Sequence, residues 1–202
     1  MSAGPTFDRV YLALKEELLR GAFRPGDSLE PRLLGDRLFA SVTPIRSALY
    51  RLSGERLVET SPHDGFRVPI TTEDGLRDLY RWQELLALMA LRTAPTNPVS
   101  ASLQADTAAE RSRALFNAIA ARSGSTALID AVAQCGDHLG PARTLEPLVI
   151  ADLETELDEL QAALSNADER LLRNLFARHR VKRLRAVPRL VVLLSRGAAN
   201  LQ

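Results

Sequence analysis

The stretch LLGDRLFASVTPIRSALYRL, residues 33–52, decides the fold of this 202-residue chain. Two amphipathic runs meet at Ser41-Val42-Thr43-Pro44. A proline inside a helix ordinarily breaks it, because it lacks the N–H and its ring clashes with the preceding turn. At the start of a helix the same residue is tolerated, since that N–H has no intrahelical partner and φ is already near its helical value. Thr43 is therefore expected as the N-cap and Pro44 as the first helical residue. Ile45, Ala48, Leu49 and Leu52 follow at i, i+3, i+4 and i+7 and set the buried face. Arg46, Ser47, Tyr50 and Arg51 are left outward. The preceding run predicts a short helix over 31–39 with Leu34 and Leu38 inward. Two short helices, a tight turn, and Arg and Ser outward at the start of the second make a helix-turn-helix pattern.

Outward from that pair, residues 6–20 space Val10, Leu14 and Leu18 by four, with Phe7 and Tyr11 alongside, which predicts a helix with one apolar stripe. Gly21, Pro25 and Gly26 stop it. After Gly54 the period changes. RLVETS and GFRVPI predict two short strands around PHDG, with Leu57, Val58, Phe66 and Val68 apolar and Gly65 at a turn position. A hairpin after a helix-turn-helix reads as a wing. From Thr71 onward no strand signal appears. Helices are expected over 73–93 (Leu76, Leu79, Tyr80, Leu86 and Ala90 apolar), 101–122, 126–140, 145–165 and 168–196, with a loop at 93–102 and a kink at Pro188. The expected fold is mainly α: a winged helix-turn-helix of three helices plus a β-hairpin over 1–70, then an all-α helical bundle over 71–202, hinged at Thr71–Glu73.

Composition bounds the partners. With 46% hydrophobic residues the chain can bury a core, and its formal charge of +1 does not advertise a polyanion. Residues 1–70 hold ten Lys/Arg against nine Asp/Glu, yet residues 32–56 hold Arg32, Arg37, Arg46, Arg51 and Arg56 against Asp36 and Glu55. That locally basic segment suits a phosphate-facing surface. Residues 170–196 carry eight Arg and one Lys without an acid, expected as a solvated or dimer-packing helix face. No apolar run reaches the length of a membrane span, and the N-terminus lacks an apolar signal core, so a cytoplasmic location is expected. The single cysteine, Cys135, allows no internal disulfide.

The segments LLRGAFRPGDSL (18–29), TPIRSAL (43–49), RLV (56–58) and HDGFRV (63–68) resemble the winged-helix domain of GntR-type bacterial transcription regulators. DLYRWQELL (78–86), followed only by helices, looks like the FadR/FCD-type effector domain. The resemblance implies a ligand-responsive transcription regulator, expected as a repressor, that binds an inverted-repeat operator as a homodimer. In that subfamily the helical domain dimerises and binds a small molecule. Arg32 falls on the arginine of the second helix that contacts DNA, and Arg46 on that of the recognition helix. Ser41, Thr43 and Gly65 also match. With Ser47, Tyr50 and Arg51 from the outward face and His63 in the wing turn, these make the expected DNA-binding set. His63 reads equally as a phosphate contact or a plain turn residue. Val42 and Asp64 depart from the pattern, each standing where the family usually has an arginine. Each loss removes a base or phosphate contact.

Many FCD domains hold a divalent metal with an Asp, a His four residues later and two further His. RALFNAIAARSGS (113–125) aligns with the first metal helix, but Arg113 stands at the Asp place, Asn117 at the first His and Leu157 at the second. His179 alone fits. One imidazole does not hold zinc or nickel, so no metal and no other cofactor is expected. Arg81, Arg113, Asn117 and His179 are the expected effector-binding residues. Arg113 reads either as a charge replacing the metal or as a helix-edge residue, and His179 either as a structural histidine or as a relic of the site. Gln83 replaces a ligand-facing arginine. Cys135, Asp137 and His138 suggest a nucleophile and base, but nothing completes such a site, and no enzyme is expected. The alternative reading is a degenerate winged-helix protein that acts through protein–protein interaction.

Overall fold

The computed structural model describes residues 5–61, 65–93 and 105–196. They form α1 (Pro5–Leu19), α2 (Pro31–Leu38), α3 (Val42–Gly54), β1 (Glu59–Ser61), β2 (Gly65–Arg67), α4 (Glu73–Thr93), α5 (Ala108–Ala121), α6 (Thr126–Leu145), α7 (Leu153–Ser165) and α8 (Glu169–Arg196). A 3-10 turn at Glu146–Leu148 separates α6 from α7. The chain divides into two compact units, Met1–Thr71 with Leu193–Gln202, and Thr72–Val192. Among the described residues no helix is long and apolar enough to cross a membrane.

The first unit is built on α3, whose Ile45, Ala48, Leu49 and Leu52 are all buried against α1 (Val10, Leu14, Leu18), α2 (Leu34) and the wing (Phe66). The start of α3 differs from expectation. Ser41, in extended backbone, is the N-cap and Val42 the first helical residue, so Thr43 and Pro44 occupy the second and third positions. The first turn leaves its N–H groups without intrahelical partners, so a proline at the third position still forfeits nothing. Pro44 therefore fixes the first turn without fixing its first residue.

The turn between α2 and α3 depends on Gly35. Phe39 ends α2 in the left-handed region (φ 51°), and the Ala40 N–H donates to the Gly35 carbonyl at 3.0 Å. A Cβ on Gly35 would stand 2.7 Å from the Ala40 carbonyl oxygen, so the two backbones meet only because the side chain is a hydrogen. Gly35→Ala is expected to lower stability by about 1–3 kcal/mol, the usual cost of an overpacked site. Gly54→Ala, whose added Cβ meets nothing within 4 Å, serves as the control. Equal urea midpoints for the two variants would contradict this account.

The wing is shorter than expected. Glu59 pairs with Arg67, Thr60 with Phe66 and Ser61 with Gly65. Leu57 and Val58 precede the strand because both are buried in the core and do not alternate across a sheet. Gly65 has φ +80°, which explains the glycine. The segment after α1 joins the wing through Leu29 N–H to Phe66 O (2.8 Å) and Val68 N–H to Asp27 O (2.9 Å). His63 and Asp64 lie outside the described residues, as do 101–104 and most of the expected 93–102 loop.

In the second unit, α4 matches its expected span, and α4, α5 and α6 pack on one another with α7 against α5. Thr107 and Glu110 form a reciprocal capping box that starts α5 at Ala108, later than the sequence suggests. The predicted end of α6 near Gly140-Pro141 is incorrect. The helix continues to Leu145, because Leu139, Ala142 and Leu145 carry its buried face past the proline. The expected 145–165 helix is a 3-10 turn followed by α7. The last helix, α8, continues through Pro188.

Candidate nucleic-acid interface and buried polar core

On α3, burial of Ile45, Leu49 and Leu52 turns Val42, Arg46 and Tyr50 outward at spacing four, with Thr43 and Ser47 beside them, all exposed. Arg32 on α2 is also exposed. Neighbouring arginines are engaged within the domain: Arg37 with Glu17 and Arg67 with Glu59. Among the described residues Arg32 and Arg46 make no ion pair. Arg51, expected beside Arg46 on the contact face, is exposed as well, and it also packs on α1. Its guanidinium carbon lies 4.0 Å from the Tyr11 ring centroid, and its Nε is 3.6 Å from Glu55. The same Glu55 accepts from the Tyr11 hydroxyl at 2.7 Å. Tyr50 keeps half its surface open, but its ring meets Phe66 edge-on at 4.9 Å, which ties the recognition helix to the wing. Ser41 makes no side-chain cap bond, so the free N–H groups and positive dipole end of α3 remain on the side of Val42 and Thr43.

The second unit buries an extended set of polar groups. Arg183 on α8 is fully buried between two acids. Its Nη2 lies 2.9 Å from Glu146 Oε2, and its Nη1 pairs with Glu156. Glu146 also accepts from the Tyr80 hydroxyl at 2.8 Å, and Lys182 reaches Glu156 at 3.0 Å. The basic run at 170–196, expected as a solvated or packing face, is thus largely paired within the fold. Arg178 meets Glu159, Arg180 meets Glu84, and Arg183 lies in the interior. Arg143 on α6 is also buried, its guanidinium 5.8 Å from the Phe116 ring centroid.

The expected effector residues scatter around this core. His179 is buried, its ring 5.1 Å from the same Phe116 ring. Arg113 is paired with Asp137, and Asn117 lies half-buried one turn further along α5. Arg81 is exposed and bonds Asp78 at 2.9 Å, whereas Gln83, two residues on, is buried. The structure therefore gathers His179 and Arg113 near Phe116 and Gly136 and leaves Arg81 outside. Burial pushes the Cys135 thiol up to about 11, and Asp137 is committed to Arg113. The Cys135-Asp137-His138 set thus holds no thiolate nucleophile.

Burial, reinforced by the charges of Arg183, Arg143 and Lys182, holds the His179 imidazole well below its usual pKa. Below about pH 6.5 the unfolded chain takes up a proton at this site that the folded chain refuses. Stability is therefore expected to fall with decreasing pH, by at most about 1.4 kcal/mol per pH unit from this group, with no contribution above that range. Urea denaturation of wild type and His179→Gln from pH 7.5 to 5.5 checks this. Parallel curves would refute it.

Residues 6–68, which span α1 to the end of the wing, match the gntR family of bacterial regulatory proteins. The N-terminal unit is a GntR-family domain. The HTH-type transcriptional repressor GlaR of Escherichia coli is 39% identical over 70 residues, 35% of this chain and 32% of that protein. The transcriptional regulator McbR of the same organism is 36% identical over 84 residues, 42% of this chain and 38% of that protein. These matches span about a third of the length of the curated relatives. The solved structure of E. coli McbR/YncC aligns over 93% of this chain and 99% of its own, with TM-score 0.69 and 25% identity. The helical unit that follows the GntR domain thus has the McbR-like fold.

The metal that the FCD resemblance implies does not fit these residues. Arg113 brings a cation paired to Asp137 where an acid would ligate, and Leu157 is fully buried in the apolar core where an imidazole would stand. Among the described residues no group of three or more His, Cys, Asp or Glu is arranged to hold a metal ion. Sequence reading missed Arg143, Glu146, Glu156 and Arg183. Their signal was a charge at a stripe position: Arg143 follows Cys135 and Leu139 by eight and four, and Arg183 lies midway between His179 and Val187.

Proposed function

We propose that this chain is a DNA-binding transcription regulator of the FCD type, a ligand-responsive repressor rather than an enzyme, acting in the cytoplasm. The observation that carries the reading is Arg46. It is exposed one turn into α3 of a GntR domain and makes no ion pair among the described residues, so it is available to base edges or phosphates. Arg32, Thr43 and Ser47 add phosphate and backbone contacts around it. Two GntR domains in a homodimer suit an inverted-repeat operator. Trp82, Leu85 and Met89 lie on one face of α4 at 46%, 52% and 52% exposure, an apolar stripe that fits a second copy. The unit Thr72–Val192 senses a small molecule.

A gel shift with the DNA upstream of the chain's own coding region, at several salt concentrations, tests this. Affinity is expected to fall with salt at roughly −0.9 in log–log slope per neutralised phosphate. No shift at any salt would sink the proposal. One observation favours the second reading, a winged helix serving protein–protein interaction. The turn between α2 and α3 exposes Phe39 at 91%, and the first residue of α3, Val42, is 43% exposed beside it. Partner binding through that turn would be nearly independent of salt.

A further inference from the structure

Phe39 closes α2 in a conformation that costs the domain twice. Its backbone is left-handed (φ 51°, ψ 51°), a region that glycine adopts freely and a bulky side chain only under strain. Its ring is 91% exposed, the most open of the large apolar side chains among the described residues. A ring so exposed packs on little, so the core of the domain offsets neither cost. The backbone at this point is nonetheless held firmly. Arg9 on α1 donates to the Leu38 carbonyl at 3.0 Å and to the Phe39 carbonyl at 3.4 Å, and the Ala40 N–H donates to Gly35. Those bonds fix the turn and leave the ring outside the core.

The turn joins the two helices that a helix-turn-helix sets on DNA, where the first crosses the backbone and the second enters the major groove. A side chain projecting from that turn stands at the lip of the groove. Arg32 lies on the helix before Phe39, and Val42, Thr43 and Arg46 on the helix after it, all exposed. Val42, three residues on and 43% exposed, extends the apolar surface toward Arg46. At the lip of the groove the apolar groups of a duplex are the deoxyribose carbons and the methyl of thymine, and phenylalanine is among the side chains that contact that methyl. A protein partner would call for a wider apolar patch than two side chains. The flanking Arg32 and Arg46 instead give this one a cationic rim, which suits a polyanion.

We propose that Phe39 contacts DNA: its ring, with Val42 beside it, packs on the apolar groups of the duplex at the lip of the major groove. The contact adds affinity that involves no charge, on top of the arginine contacts of α2 and α3. Because the turn is already fixed in one conformation, little ordering is left to be done when DNA arrives. This inference deepens the DNA-binding reading above and rests on it.

The full chain and its variants are tested by gel shift on the duplex upstream of the coding region, at several salt concentrations, and by thermal melts without DNA. Phe39→Gly is expected to weaken binding about tenfold at every salt concentration, its log–log line parallel to wild type, because no phosphate contact is lost. The same variant should melt at the wild-type temperature or roughly 2–4 °C above it, because glycine adopts the left-handed turn without strain. Arg32→Ala, by contrast, should reduce the salt slope by about 1. Phe39→Leu keeps an apolar side chain and should bind within about threefold of wild type. Replacing thymine by uracil in the duplex removes the methyl groups. If that erases the difference between wild type and Phe39→Gly, the ring sits on thymine, and if the difference survives, it sits on the sugars. A Phe39→Gly chain that binds as tightly as wild type would assign the ring to another partner, such as a protein, and overturn the proposal. A changed salt slope in that variant, or a Tm lower by several degrees, would make Phe39 a structural part of the turn and overturn it as well. A wild-type chain that shifts no DNA would remove the DNA-binding reading itself, a different failure from a variant that matches wild type.

Discussion

Arg183→Met is expected to destabilise the protein by about 3–5 kcal/mol, the usual consequence of removing one partner from a buried ion pair. The reason lies in what the substitution leaves behind. Arg183 is fully buried and bonds both Glu146 and Glu156. Methionine fills most of the volume but donates nothing. Glu146 keeps only the Tyr80 hydroxyl at 2.8 Å, and Glu156 keeps Lys182 at 3.0 Å. Two carboxylates are then left in a dry interior without the guanidinium that bonds both. For a chain of this size the loss corresponds to a Tm lower by roughly 10 °C. Arg183→Met/Glu146→Gln/Glu156→Gln removes the stranded charges and is expected to recover most of that fall. Thermal melts followed by circular dichroism read both. A single variant melting within a degree of wild type would show that the triad contributes nothing. The three residues come from α8, the 3-10 turn and α7, so the prediction also tests how α8 is fastened to the bundle.

The legibility of this chain in its sequence followed the period of its apolar residues. Ile45, Ala48, Leu49 and Leu52 announce α3 by spacing alone, and all four are buried as that spacing requires. The helical span 73–93 is equally plain, because nothing in it competes with the pattern. Termini were less legible, since capping and tertiary burial decide them. Ser41 rather than Thr43 caps α3, and α6 passes Pro141 because the apolar face continues beyond it. Polar interiors were the least legible. A basic run such as 170–196 looks solvated when each arginine is judged alone. The acids that receive it, Glu84, Glu146, Glu156 and Glu159, lie on other helices. Likewise Arg46 and Arg51 are alike in the helical pattern, and only the position of α1 separates them.

That separation gives the second large prediction. Arg46→Ala is expected to reduce specific operator affinity by about one to two orders of magnitude, the loss of one bidentate base contact worth roughly 1–3 kcal/mol. Folding stability should change by no more than about 0.5 kcal/mol, as for other exposed sites without partners. Arg51→Ala should do the reverse, because Arg51 is stacked on Tyr11 and bridged to Glu55. It is expected to lower stability and leave sequence discrimination intact. Gel shifts on specific and scrambled DNA, run beside urea melts of both variants, read the two effects separately. If Arg51→Ala also erased specificity, the position of that side chain on α1 would be a poor guide to the bound state. Val42 sharpens the comparison. It occupies the first position of α3, on the face that also carries Arg46, and offers a branched apolar surface that is 43% exposed. A side chain of that kind can make apolar contact with the methyl group of thymine and cannot bond guanine, so Arg46 is expected to carry most of the polar readout of the helix. With Val42 beside it in place of a second cation, most of that discrimination is expected to fall with the single substitution of Arg46.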